Sequence, residues 1–207
     1  GAGGAAGAGG AGGEAGGAGA GPASRYVTRV ASFSPGPGAG FGQDRMPDVV
    51  FGPPRGGGEA QGSLDVVSLG QGGEIVVEFT TNAAVDGPGA DFLVFENPFV
   101  VAGGAVFREP AEVSVSEDGA SWVAFPCDPA RPDEGSCAGR NVVYANPDAG
   151  VSALDPAAAG GDAFDLAAVG VGRARFVRIR DVAASAAGAP AAGFDLDALA
   201  IVNAEAP

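Results

Sequence analysis

The chain has 207 residues with 25 acidic and 11 basic side chains, a formal charge of −14, and every basic residue is Arg. An acidic chain without a basic stripe is a poor partner for nucleic acid or an anionic membrane. The absence of His and Lys excludes Ser-His-Asp and Cys-His catalysis, the usual zinc sites, a P-loop and Schiff-base chemistry.

Residues 1–22 are almost wholly Gly and Ala, with Glu14 the one charge. Such a stretch buries too little apolar surface to offset its ordering entropy, and it is expected to be a disordered spacer. Residues 23–207 are then a single domain, large enough for a substantial core. No apolar run reaches the ~18 residues of a membrane span. Cys127 and Cys137 close a Pro-rich stretch whose spacing fits neither a Cys-x-x-Cys redox motif nor a metal set. A disulfide is the preferred pairing, with two unpaired thiols as the alternative. A disulfide implies export to an oxidising compartment. A leading low-complexity spacer fits a chain trimmed after export, and a lipoprotein anchored through a lipid upstream of Gly1 is one form of that expectation.

The segment 25–33 alternates well enough for an entry strand, and 34–42, rich in Ser, Pro and Gly, reads as loop. Segments 63–69 and 74–80 flank Gly70-Gln71-Gly72-Gly73 and read as a hairpin. Asp86-Gly87-Pro88-Gly89 is a turn that launches the apolar run 91–96. Val113 and Val115 alternate with polar neighbours, and Asp118-Gly119 supplies a tight turn into 121–125. Along 173–180, Val177 and Ile179 oppose Arg178 and Arg180, and residues 196–202 form a closing strand. One short helical turn is expected at 164–169. Many short strands with Gly, Pro and Asp turns indicate an all-β, antiparallel β-sandwich. Joining first and last strands in one sheet would make it a jelly roll.

Several stretches resemble a group of bacterial cell-surface proteins with a galactose-binding-like, discoidin-type jelly-roll domain. They are Ser68-Leu-Gly-Gln-Gly-Gly-Glu-Ile-Val-Val-Glu-Phe79, Asp86-Gly-Pro-Gly-Ala-Asp-Phe-Leu-Val-Phe-Glu-Asn97, Val113-Ser-Val-Ser-Glu-Asp-Gly-Ala-Ser-Trp122, Phe164-Asp-Leu-Ala-Ala-Val-Gly170, Ala174-Arg-Phe-Val-Arg-Ile-Arg-Asp181 and Gly193-Phe-Asp-Leu-Asp-Ala198. The resemblance implies an eight-stranded sandwich, an extracellular or cell-surface location and, often, a structural calcium ion. It assigns no ligand, because the fold hosts many functions.

The residues themselves also point to a cation. Calcium takes six to eight oxygens at roughly 2.3–2.6 Å. Asp86 and Asp91 flank a Gly-rich turn, and Asp195 and Asp197 share one side of an extended segment. These four are expected to converge, with Glu96 or Asn82 beside them, and Asp162 and Asp165 are spare candidates. The bland alternative is that Asp and Gly are good turn formers. For a small ligand, Phe99, Arg108 and Tyr144 lie in loop-like stretches, where an exposed aromatic ring beside polar groups would suit glycan. Trp122 is expected in the core. A binding or adhesion module, with glycan or another surface protein as partner, is the first functional reading. A structural interaction domain of a surface assembly is the second. The chain is not expected to be an enzyme, and a glycoside hydrolase ranks last because no acid pair is visibly set in an apolar pocket.

Overall fold

Alternation and turn chemistry carry through into a set of short antiparallel ladders. A computed structural model describes residues 23–131, 134–182 and 192–206, so the expected spacer at 1–22 lies outside the described residues. The strands, in chain order, are β1 Arg29–Ser34, β2 Val67–Ser68, β3 Glu74–Glu78, β4 Ala83–Val85, β5 Phe92–Phe95, β6 Phe99–Val100, β7 Val106–Phe107, β8 Ala111–Ser116, β9 Val123–Ala124, β10 Asp162–Phe164, β11 Arg173–Ala174, β12 Phe176–Asp181, β13 Asp195–Leu196, β14 Ala198–Ile201 and β15 Ala204–Glu205. The largest sheet runs β1-β3-β12-β8-β9, and β10-β5-β14 forms a second, three-stranded one. The remaining ladders are β11-β4-β15, β13-β2 and β6-β7. All the ladders among the described residues are antiparallel, so the fold is the expected all-β sandwich.

The inner face of the large sheet is the apolar set of the alternating strands. Ile75, Val77, Val113, Val115, Val177 and Ile179 are each at most 1 % exposed. They share one core with Phe92 and Val94 of β5, Leu199 and Ile201 of β14, and Phe164 of β10. Within it Phe92 stacks on Phe164 with ring centres 5.1 Å apart, and Phe125 meets both rings edge-on. The other face of β5 and β14 is also covered. Leu93, Phe95, Ala198 and Ala200 pack against Val143, Ala145, Ala153 and Ala159, which come from the long connection between β9 and β10. Burial on both faces explains why Phe92–Phe95 and Ala198–Ile201 read as unbroken apolar runs while the large-sheet strands alternate.

Three local expectations change. The turn at Gly70–Gly73 forms, with Gly73 N–H donating to Gly70 C=O at 2.9 Å, but its arms do not pair. β2 pairs with β13, whereas β3 enters the large sheet between β1 and β12, so the turn is a corner between ladders. The stretch 173–180 is likewise divided, β11 joining β4 and β12 joining β3 and β8. Trp122 leaves the core and lies on the outer face of the large sheet, where the Arg178 guanidinium sits 4.7 Å from its ring centre. That placement suits a ring with a polar edge and a planar cation. The expected helical turn is present as a 3-10 turn over Leu166–Val169, capped by Asp165, which accepts the Ala167 N–H.

Cys127 and Cys137 are bonded. The bridge closes a loop whose two ends border β8. Ala111 and Ala138 exchange both backbone hydrogen bonds, at 2.9 and 3.1 Å, and Cys137 is fully buried. Closing so short a loop restricts the unfolded chain by about 2–3 kcal/mol. Replacing both cysteines by Ser is therefore expected to lower Tm by several degrees, and the denatured, unreduced wild type should titrate no free thiol. One equivalent or more of thiol would contradict the bridge.

Candidate functional site

The acidic residues divide according to β5. Asp91 precedes this strand and Glu96 follows it, five extended steps of roughly 3.3 Å apart, or about 16 Å. Because β14 runs antiparallel beside β5, Val202 and Asn203 donate to the Asp91 C=O while the Asp197 N–H donates to the Phe95 C=O. Asp86 and Asp91 are therefore at one end of the strand, and Asp195 and Asp197 at the other. The expected convergence of these four does not occur, because an extended strand holds its ends apart.

At the first end, Asp86, Asp91 and Asp165 come within 4.8 Å of one another. Asp91 is fully buried, and both its oxygens are occupied. Oδ1 accepts Gly87 N–H at 2.9 Å and Asn203 Nδ2 at 2.8 Å, and Oδ2 accepts Leu166 N–H at 2.7 Å. Asp91 is thus a staple for three loop donors that the short strands leave unpaired. Asn82, buried just before β4, accepts the Ala83 N–H on its Oδ1 at 3.1 Å.

At the other end, Glu96, Asp195 and Glu109 form a second group within 4.8 Å, and Glu109 was not among the expected ligands. Glu96 is 2 % and Glu109 8 % exposed. Asp195 accepts a short hydrogen bond from the Ser68 hydroxyl and another from the Asn97 side chain. Glu109 accepts the Gly193 N–H. Its backbone is pinned too: Gly139, at φ +81°, lies so close that a Cβ there would sit 2.2 Å from the Glu109 carbonyl oxygen. Glu96 takes the Asn97 N–H, but its Oε2 is buried with no hydrogen-bond partner. Burial, and then the neighbouring Asp195, Glu109 and Asp162 charges, push the Glu96 carboxyl well above its ordinary value. Burial followed by the Asp195 and Asp181 charges raises Glu109 to about 7.

Asp197 and Asp162 stand beside this group with partners of their own. Asp197 accepts the Arg55 N–H at 3.0 Å and the Ser63 hydroxyl, yet burial lifts it to about 7. Asp162, 1 % exposed, accepts Arg140 N–H at 2.9 Å and Asn141 Nδ2 at 2.8 Å. Both acids order the rim of the sandwich at this end.

That rim carries the residues considered for a small ligand. A cleft of about 580 Å3 is lined by Glu59, Arg108, Arg140, Asn141 and Tyr144, among others. The Tyr144 ring is 44 % exposed, and its hydroxyl donates to Glu59 Oε1 at 3.2 Å. The ring lies close to the backbone at Gly160, at φ +67°, where a Cβ would meet the Val142 carbonyl at 2.1 Å and the Tyr144 ring at 3.0 Å, so no larger residue fits there. Arg108 and Tyr144 therefore share one cleft. Phe99 does not share it. Alternation along β6 turns Val100 into the cleft and Phe99 into a neighbouring depression of about 350 Å3 with Leu64 and Asn97. Phe99 also stacks on Phe107 across the β6–β7 ladder, with ring centres 5.4 Å apart. Arg140 and Asn141, a pair the sequence also offers for polar contacts, line the cleft, whereas Glu59 stands in no motif and was not legible in the sequence. Comparison of the chain with protein-family models and with curated proteins finds no match.

Two outcomes follow from these partners. Asp91→Ala strands three donors and is expected to cost about 2–4 kcal/mol by equilibrium unfolding, with no dependence on added divalent ions. A near-neutral effect would contradict the staple. Glu109 and Asp197 hold protons more tightly when folded than unfolded. Their stabilising contribution is therefore complete below the ordinary carboxyl range near ~4, declines as pH rises from there to about 7, and stays low above it. In divalent-free buffer Tm is expected to be lower at pH 8 than at pH 5.5, and Asp197→Asn should flatten part of that slope. A Tm that rises across the interval would refute the assignment.

Proposed function

We propose that the chain is an exported cell-surface binding module of the galactose-binding-like, jelly-roll type that recognises glycan in the rim cleft. The observation that carries this reading is the Tyr144 ring, exposed beside Gly160, tied through its hydroxyl to Glu59 and sharing the cleft with Arg140 and Asn141. A pyranose presents an apolar C–H face and a ring of hydroxyls. An aromatic plane suits the first, and amide, carboxylate and guanidinium groups suit the second. The polar groups are already oriented, because Asp162 holds both Arg140 and Asn141 from behind. Preorganisation of that kind lowers the entropy cost of binding. The disulfide supports an oxidising, extracellular setting, with a lipid anchor as one means of attachment.

The non-catalytic reading is supported by where the acids lie. Glycosidase carboxyls flank a substrate at roughly 5–9.5 Å. Here Glu96, Glu109 and Asp195 are clustered within 4.8 Å, and the two glutamates are almost fully buried, which leaves no room for a sugar between them.

A structural interaction domain of a surface assembly is the second reading. It is favoured by the uncharged tip of the β6–β7 hairpin, residues 101–105, with exposed Phe107 on the same hairpin and exposed Leu64 in the depression beside Phe99. Glycan-array screening separates the two. Tyr144→Ala is expected to weaken binding to the best glycan at least tenfold, while Tyr144→Phe keeps the stacking plane and loses less. Uniform silence on the array, with self-association abolished by Phe107→Ser, would favour the second reading.

A further inference from the structure

We propose that Glu96, Glu109 and Asp195 together hold a divalent, oxygen-preferring cation of calcium size. The proposal stands on geometry at the buried end of β5 and is independent of what the rim cleft binds. Three carboxylates offer ligand oxygens that all lie within 4.8 Å of one another. Oxygens grouped within that limit can be reached by one cation with oxygen distances of roughly 2.3–2.6 Å, and calcium accepts such an irregular, all-carboxylate shell, whereas magnesium demands a near-ideal octahedron and keeps several of its waters. The second observation is Glu96 Oε2, buried without a hydrogen-bond partner inside this group. Buried polar atoms are satisfied in the great majority of folded proteins, and an ion is one of the few agents that satisfies an orphaned carboxylate oxygen among other acids.

The other acidic group provides the contrast. Around Asp91 the same number of carboxylates gather, but three N–H donors already occupy both Asp91 oxygens, and Asp165 caps the Leu166–Val169 turn. There the protein supplies the positive partners. At Glu96 it supplies donors to only part of the set: Asn97 N–H to Glu96, Gly193 N–H to Glu109, and Ser68 and Asn97 to Asp195. These donors fix how each carboxylate is turned and leave the cluster with a surplus of negative oxygen.

Donor chemistry narrows the metal. The trio is all carboxylate, the chain has no His, and both cysteines are tied in the disulfide, so hard oxygen-seeking ions are favoured over zinc or copper. The three ligands come from segments far apart in sequence. Glu96 ends β5 of the three-stranded sheet, Glu109 immediately precedes Pro110 and β8 of the large sheet, and Asp195 opens β13. A bound cation would therefore fasten the two sheets and the β2–β13 ladder to one point.

The test uses the full chain, stripped of metal by chelator and dialysed, with thermal unfolding and isothermal titration of calcium as readouts. At a hundredfold excess of calcium over its Kd, Tm should rise by roughly 5 °C or more, with magnesium at least tenfold weaker. Glu96→Gln keeps the side-chain shape and removes one charge from the repelling set. It should fold at least as stably as the metal-free wild type and lose the calcium shift. Glu109→Gln is the second variant and should behave alike. Asp86→Asn, at the opposite end of β5, should keep the full response. Absence of a calcium shift in the wild type, a shift retained in both Gln variants, or one abolished by Asp86→Asn would each overturn the proposal. In the first of those outcomes, the trio satisfies itself by sharing protons.

Discussion

Strand β5 is the constraint on which the rest of the structure depends. Its four residues face apolar side chains on both sides, toward the inter-sheet core and toward the covering loop at 143–159. A strand with no solvent face draws its flanking residues inward as well. The residues at either end are Asp91 and Glu96, which are 0 % and 2 % exposed. Burying a carboxylate is costly unless its oxygens find donors. The sandwich meets that demand at one end with the Gly87, Leu166 and Asn203 donors, and meets it only in part at the other. The same strand that organises the core thus sets up one acid as a structural staple and leaves the other with an oxygen that no donor meets.

The use of buried acids as staples extends beyond Asp91. Asp181, at the end of β12, accepts Gly72 N–H and Phe194 N–H, both at 2.9 Å, and so ties the large sheet to the corner before β3 and the approach to β13. Asp197 does the same for Arg55 N–H, and Asp162 for Arg140 N–H. Strands of two to six residues leave many backbone donors beyond their ladders. A carboxylate accepts several such donors at once, with stronger bonds than a neutral oxygen makes. The acidic composition is in this sense partly a consequence of short strands joined by long loops.

The sequence carried the fold class through its alternations. Val113 with Val115 and Val177 with Ile179 mark the inner face of the large sheet, and Asp118-Gly119 marks the β8–β9 turn. The cysteine pairing was equally legible, because only two cysteines were available. Pairing partners were not. The two runs around Gly70–Gly73 look like hairpin arms, yet their partners lie elsewhere in the chain, β13 for β2 and both β1 and β12 for β3, and local sequence carries no record of such distant pairings. The acids failed for the same reason. Nearness in sequence groups Asp86, Asp91 and Glu96, while an extended strand separates the first two from the third. Glu109 sits in an unpatterned stretch and becomes a partner of Glu96 only when β8 and β13 are placed.

The rim shows how such a scaffold keeps its loops useful. The cleft walls come from the stretch before β2, the β6–β7 hairpin and the connection that also covers β5, so most of the lining lies outside the large sheet. Loops of this kind vary freely without disturbing a core, but here their backbone is anchored by the buried acids at the Glu96 end of β5. Asp162 illustrates the link. It faces the cleft through Arg140 and Asn141, and its charge is also felt by Glu96. Arg140 in turn donates to the Gly135 carbonyl within the disulfide-closed loop at 2.8 Å. Asp162 stands between the Glu96 cluster and the polar floor of the cleft, and Arg140 joins that floor to the disulfide-closed loop. The rim cleft and the buried acid cluster are thus neighbours across Asp162, which bonds the one and is felt electrostatically by the other.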